Sequence, residues 1–355
     1  FLSWYWTVPL QVSTMAPMNR RWLNWAVICL SMILFAVYLV WKEGLATIVE
    51  IASSINYWWL GVAMASMLCA LLCEAAVLAV IRRRYQRGFS FGGCFRSTVV
   101  GFMFGSITPL QIGNLVSQIT LLTKDGMKPG DAATVLLTKT ILYMCSMVVV
   151  VGSLLIMRAK AFSIPTAFWI VVFAGFAVNA LYLVFLLSVA RAQRTLERIA
   201  CWFIRLLGKV HAVKQVDALQ ERAKEELGQL NRNMRKIQLK GKDFLLAFLF
   251  GCMQLVSTYQ ICYFIYRCFS LSGQTYGTVL AAQAFCTLIQ SVMPIPGGLG
   301  VADSGFYYIL GKIMGDHYIN FAMVLWRLIT LYLPILFGLG ALLKRSGAGN
   351  TSDYR

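Results

Sequence analysis

Charged residues are scarce in this chain of 355 residues: Asp, Glu, Lys and Arg make up 13%, against 59% hydrophobic residues and a mean hydropathy of +0.69. An ordinary soluble domain carries about 25% charged residues. Too little polar surface is left to cover a water-soluble globule, which excludes a soluble enzyme and a disordered chain. Histidine is rarer still, with only His211 and His317. Asp303, Ser304 and His317 supply the residue types of a hydrolytic triad, but a half-helix separates the acid from the imidazole, so no catalytic constellation forms. Cysteine is not scarce, at ten residues, yet its spacing fits neither a metal site nor a disulfide framework. Cys29, Cys69, Cys73, Cys145, Cys252, Cys262 and Cys286 lie inside apolar segments, where the thiol behaves as a small hydrophobe. No strand leads into a glycine-rich phosphate loop. Neither a metal nor a cofactor is expected.

What the chain has instead is apolar runs of about 20 residues, the number a helix rising about 1.5 Å per residue needs to cross a hydrocarbon core of about 30 Å. Six spans are predicted, at 22–41, 57–81, 132–157, 164–189, 243–266 and 317–343. The first is too long for a signal-peptide core and lacks a small-residue cleavage site, so it reads as a helix. In the tail 1–21 ahead of it, Met15 or Met18, followed by Arg20 and Arg21, is where a natural start is expected. Two further apolar stretches, 97–123 and 276–315, are interrupted. The first breaks at Thr108-Pro109-Leu110-Gln111-Ile112-Gly113-Asn114, the second at Pro294-Ile295-Pro296-Gly297-Gly298-Leu299-Gly300. Proline removes a backbone donor and clashes with the preceding turn, while glycine admits left-handed backbone. Neither stretch can be one straight helix.

The formal charge of +18 would suit a nucleic-acid binder if it were spread over one surface. It is not. Residues 190–242 hold 13 Lys/Arg against 5 Asp/Glu, and Arg82 to Arg96 adds five arginines and no acid. Cations clustered beside spans mark the cytoplasmic side and contact anionic lipid, so a membrane partner is expected and nucleic acid is not. Arg20 and Arg21 place the N-terminus inside, which puts 42–56 outside and brings Arg82–Arg96 back. If 97–123 crossed fully, the basic loop 190–242 would face outside. If it enters and leaves on one side, 190–242 and the tail 344–355 with Lys344 and Arg345 both face the cytoplasm. The re-entrant reading is preferred, with both termini cytoplasmic in the inner membrane of a bacterium.

That topology exposes an internal repeat. Three spans and a re-entrant pair (22–157, pair 97–123) are followed by three spans and a second pair (164–343, pair 276–315). Pro109 is followed 30 residues later by Lys139, and Pro296 31 residues later by Arg327. An odd number of crossings per unit inverts the second relative to the first, the arrangement of transporter-type midplane sites. The fold class expected is therefore all-α and polytopic, with about six transmembrane helices and two re-entrant broken helix pairs in an inverted repeat. Within 190–242, Leu196, Ile199, Phe203, Leu206 and Val210 form one apolar stripe, and Leu219, Ala223, Leu227, Leu230, Met234 and Ile237 a second. These read as helices lying on the lipid surface; a homodimer contact or a docking site is the alternative.

The run Pro294-Ile295-Pro296-Gly297-Gly298-Leu299-Gly300-Val301-Ala302-Asp303, then Val324-Leu325-Trp326-Arg327-Leu328-Ile329-Thr330 and Leu333-Pro334, resembles the lysylphosphatidylglycerol synthase transmembrane-region family, the flippase-like half of the multiple peptide resistance factor proteins. The resemblance covers about 22–343. Thr108-Pro109, Gly113 and Val135-Leu136-Leu137-Thr138-Lys139 match the family's first motif. Where the family usually shows an Arg and a Glu near the Thr-Pro turn, this chain has Gln111 and Asn114; it has Lys139 where Arg is usual and Asp303 where Glu is usual. The aminoacyl-transfer domain of the longer relatives is not among these residues. The resemblance implies a flippase-like membrane domain handling a phospholipid.

The residues themselves point the same way. After each break a short half-helix begins, near Asn114 and Val301, and its first N–H groups, with the positive end of the helix dipole, suit an anionic group such as a lipid phosphate. Lys139 and Arg327 would add full charges. A cation in the hydrocarbon costs about 2.5–3.5 kcal/mol on insertion scales, so it faces a cavity or a partner. The candidate headgroup-binding residues are Lys139, Arg327, Asp303, Thr108, Gln111, Asn114, Gly297, Gly298 and Gly300. Plainer readings stand beside these. Asp303 is placed to cap free N–H groups or to pair with Arg327, and Lys139 to snorkel to the interface. Glu74, near the end of its span, reads as interfacial in preference to a proton carrier. The expected function is movement of an anionic phospholipid or lipid-linked headgroup between leaflets. The alternatives are the membrane component of a phosphatidylglycerol lysyltransferase or other lipid-linked transferase system, and a non-transporting scaffold.

Overall fold

Asparagine just before an apolar run is a helix start, and Asn56 acts as one: its side chain accepts the Trp58 N–H at 3.1 Å. In the computed structural model, which describes residues 53–86, 88–106, 108, 111–158, 162, 166–191, 241–292 and 301–348, the secondary structure is helix without a strand among the described residues. The chain divides between Ile55 and Asn56. Of the first part only a helical turn at Ser53–Ser54 is described, and all that follows concerns the second. Its helices are α1 (Tyr57–Arg82), α2 (Phe91–Ser106), α3 (Ile112–Lys124), α4 (Pro129–Arg158), α5 (Thr166–Arg191), α6 (Gly241–Cys268), α7 (Tyr276–Val292), α8 (Val301–Met314), α9 (Asp316–Arg327) and α10 (Leu333–Ala348), with a π turn, Leu328–Tyr332, joining the last two.

Five segments among the described residues are long and apolar enough to cross a membrane: Tyr57–Arg82, Pro129–Arg158, Trp169–Ser188, Gly241–Cys268 and Asp316–Leu343. They coincide with the predicted spans from 57 onward, and the protein is an all-α polytopic membrane protein. The predicted span 22–41, the surface stripes of 190–242 and the glycines Gly297, Gly298 and Gly300 lie outside the described residues. The last crossing contains the π turn because Pro334, one position into α10, cannot donate to the preceding turn. A widened turn accommodates the lost bond. Thr330 there donates to the Trp326 carbonyl at 2.7 Å.

The two interrupted stretches form helical hairpins. α2 and α3 have 16 and 13 residues, α7 and α8 17 and 14. At about 1.5 Å per residue each reaches only about 20–25 Å, short of a hydrocarbon core. α2 and α3 run antiparallel. At the tip, a Cβ on Gly105 would sit 2.9 Å from that of Asn114; at the base, Arg96 pairs with Asp125 at 2.9 Å. α7 packs on α8, with Ile289 bordering Gly305. α8 turns through Gly315 into α9, where Phe306 and Trp326 stack with ring centroids 4.9 Å apart.

α1 and α6 lie antiparallel along their full length. The Asn56 N–H donates to the Cys268 carbonyl at one end, the Ser66 hydroxyl to the Ser257 carbonyl in the middle, and Arg83 and Arg84 meet Asp243 at the other. The hairpins also pack on helices distant in the chain: α2 packs on α10 and α7 packs on α4. Gly338 of α10 makes the first contact possible, since a Cβ there would be 2.7 Å from the Val99 carbonyl oxygen. The apolar core between α1, α2, α3, α4 and α6 includes Leu78, Ile81, Cys94, Leu122, Val135, Leu142 and Ala247.

Candidate functional site

At the tip of the first hairpin one hydroxyl holds both helix ends. Thr108 Oγ1 donates to the Phe104 carbonyl at 2.9 Å, satisfying the end of α2, and accepts the Gly113 N–H at 2.8 Å, satisfying the start of α3. Gly113 is required there, because a Cβ would meet the Phe104 carbonyl oxygen at 2.5 Å. Gln111, exposed at the tip, takes a left-handed backbone with φ of 54° and makes no side-chain cap. Of the sequence-predicted residues here, Thr108 and Gly113 thus build the break, while Gln111 and Asn114 line it.

From Asn114 a chain of polar side chains runs into the bundle. Gln118, one turn further along α3 and 2% exposed, donates from Nε2 to Asn114 Oδ1 at 2.5 Å. Its Oε1 accepts from Lys139 Nζ of α4 at 3.2 Å. Lys139 also pairs with Glu74 Oε1 of α1 at 2.6 Å, the two side chains being 12% and 13% exposed. Glu74 Oε2 in turn accepts from Gln254 Nε2 of α6 at 3.1 Å. Four helices therefore converge on one part-buried ion pair and three amides. Lys139 and Glu74 are held between the helices, both part-buried. The reason is mutual: each charge has its partner on a neighbouring helix, which lowers the cost of keeping both out of water.

A second polar group lies between α1, α6 and α7. Gln260 Nε2 donates to Ser66 Oγ at 2.6 Å, and the Tyr276 hydroxyl donates to Gln260 Oε1 at 2.9 Å. Arg327, 5% exposed, lies at the end of α9 with its guanidinium 5.0 Å from the Trp326 ring centroid. Asp303 is the third residue of α8, and its side chain lies outside the described residues, as do Gly297, Gly298 and Gly300.

The arginines between 82 and 96 do more than mark a side. Arg82, 2% exposed, and Arg96 both pair with Asp125 at the end of α3, at 3.4 and 2.9 Å, and Gln86 donates to the Asp125 carbonyl at 3.0 Å. With Arg83 and Arg84 on Asp243, these contacts tie the base of the hairpin to α1 and α6. The acids that neutralise them sit far along the chain, so a local charge count overstates what is free. Tyr85, just beyond α1, has its phenol held above the ordinary range by burial and by nearby Asp131. No group of three His, Cys, Asp or Glu able to hold a metal occurs among the described residues.

Sequence reading did not single out Gln118 or Gln254 and did not connect Glu74 with Lys139. The available signal was a buried-helix periodicity: Gln118 lies four residues from Asn114, on the same face of α3, and amides and an acid inside apolar runs need partners.

No curated protein gives a significant match to this chain. The profile of the family described as lysylphosphatidylglycerol synthase TM region matches residues 22–338. That stretch takes in both hairpins, the Lys139–Glu74 pair and the five candidate spans but for the last few residues of the fifth, and the chain belongs to the lysylphosphatidylglycerol synthase TM region family.

Proposed function

We propose that this membrane protein, of a family concerned with lipid modification or transport, moves an anionic phospholipid between leaflets. The headgroup passes at the tip of the α2–α3 hairpin. The observation that carries this reading is the chain Asn114–Gln118–Lys139–Glu74–Gln254, a set of polar groups held among apolar helices and opening at the start of a half-helix. An ionisable residue inside a membrane bundle is a functional site by default, because it is too costly to retain for packing alone. The first turn of α3 presents the positive end of its dipole, and the Lys139 ammonium, paired with Glu74 at rest, can exchange that partner for an anion, so a phosphate is the complementary ligand. Both hairpins are too short to cross and turn back on themselves, which supports re-entrant pairs. The packing of α2 on α10 and α7 on α4 supports an inverted repeat, in which the spacing from Pro296 would make Arg327 the counterpart of Lys139. In this reading the acyl tails stay in lipid while the headgroup crosses between the halves.

The test is reconstitution in vesicles containing a trace of phosphatidylglycerol labelled on an acyl chain, with a membrane-impermeant quencher added outside. Wild-type protein exposes inner-leaflet label to the quencher, and Lys139→Ala abolishes the effect. If the wild type exposes no more label than protein-free vesicles with any anionic lipid, the reading fails. Lysyl transfer from charged tRNA to lipid by the same preparation would favour the transferase alternative.

A further inference from the structure

The ion pair at the proposed headgroup site raises a charge problem whose solution identifies the coupling ion. Lys139 Nζ is 2.6 Å from Glu74 Oε1, so the pair is neutral as it stands. If a phosphate bearing one negative charge joined Lys139 while Glu74 stayed ionised, the bundle would hold a net charge of −1. Burying an uncompensated charge among apolar helices is strongly opposed. Glu74 is also held by Gln254 from α6, so it stays near the site when Lys139 leaves it. Among the charged and titratable neighbours, Arg82 of α1 is already engaged by Asp125. α4 contributes Lys139 and Tyr143, the latter within electrostatic range of Glu74. α2 contributes Cys94, within range of Lys139, and α1 itself Cys73 and Cys69. α6 faces Glu74 with the neutral Gln254, and the π turn that packs on α1 brings Tyr332, with Arg327 immediately before it.

Resting on the headgroup reading above, we propose that Glu74 is the proton carrier that makes lipid movement an electroneutral proton–lipid symport. In the resting site a glutamate carboxylate faces a lysine ammonium. When a headgroup arrives, Glu74 takes one proton from the water on that side, and Lys139 exchanges its carboxylate partner for the phosphate. The loaded site then holds a neutral carboxylic acid, an ammonium and a phosphate monoanion, and its net charge is again zero. Gln254 and Gln118 accept this change, since each amide offers both a donor and an acceptor. On the far side the phosphate leaves, the proton returns to water and the pair closes. One proton and one negative charge cross together.

The experiment uses the full chain in phosphatidylcholine vesicles with a trace of labelled phosphatidylglycerol, with valinomycin and potassium setting the membrane potential independently of pH. With the potential clamped at zero, the label is expected to accumulate in the leaflet on the alkaline side, up to about tenfold per pH unit for one proton per lipid. A potential imposed at equal pH leaves the distribution unchanged, and a luminal pH dye reports proton entry only when anionic lipid is present. Glu74→Gln gives one distribution with or without the pH gradient. Label that crosses but ignores the pH gradient, or follows the potential, overturns the symport while leaving the lipid-movement reading intact. A wild type that moves no anionic lipid under any gradient overturns both. The wild-type arms decide the matter even if the variant does not fold.

Discussion

Lys139 and Glu74 depend on each other in a way that stability measurements can read. Losing one partner of a fully buried pair leaves the other charge uncompensated, at a cost of about 3–5 kcal/mol and less for a part-buried pair such as this, whereas replacing both by apolar residues of similar volume is often neutral. Lys139→Met and Glu74→Leu alone are therefore expected to melt well below wild type in detergent, and the double variant to recover most of the loss. Losses that simply add would contradict the pairing. Thr108 offers a smaller test. Thr108→Ala leaves both the Gly113 N–H and the Phe104 carbonyl without their partner and costs about 1 kcal/mol, while Thr108→Ser retains the hydroxyl and most of the stability. Thermal unfolding of the pair of variants checks this. Lys139 and Asn114 were legible as candidates because a cation and an amide interrupt apolar sequence. Their connection was not: Glu74 is 65 residues from Lys139 and Gln254 is 180 residues from Glu74, and only the packing of α1, α4 and α6 brings them together.

At the scale of elements, the hairpin breaks were readable because proline and clustered glycine leave few backbone alternatives. The surfaces on which the hairpins dock were not, since a glycine in a helix looks the same whether or not another backbone lies against it. Gly338 and Gly340 differ in this way. A Cβ at Gly338 would press on the Val99 carbonyl and Met103, whereas nothing lies within 4 Å at Gly340. Gly338→Ala is expected to destabilise by about 1–3 kcal/mol through overpacking of α2 on α10. Gly340→Ala is expected to be neutral or to stabilise by up to about 1 kcal/mol through helix propensity. Unfolding midpoints of the two single variants separate them, and equal effects would contradict the α2–α10 contact. Asp125 is the corresponding device at the hairpin base. Asp125→Asn releases Arg82 and Arg96 together and should make residues 88–96 easier to cleave with protease at low salt.

For the whole molecule, composition pointed to a membrane, and the spacing of apolar runs placed the candidate spans from 57 onward to within about five residues. The positive-inside argument took the arginines of 82–96 as a label. Their pairing with Asp125 and Asp243 shows that topology signals and structural ion pairs draw on the same residues, a distinction no local charge count makes. What unites the hairpins, their packing and the part-buried pair is a single claim: the headgroup travels past the tip of α2–α3 beside Lys139. The most direct measurement is photo-crosslinking with a phosphatidylglycerol analogue carrying a diazirine on its headgroup, in vesicles, with labelled peptides located by mass spectrometry. Label concentrated in 111–118 of α3 and 136–143 of α4, and lost in Lys139→Ala, is the predicted result. Label confined to the lipid-facing side of α5, and unchanged in that variant, would contradict it.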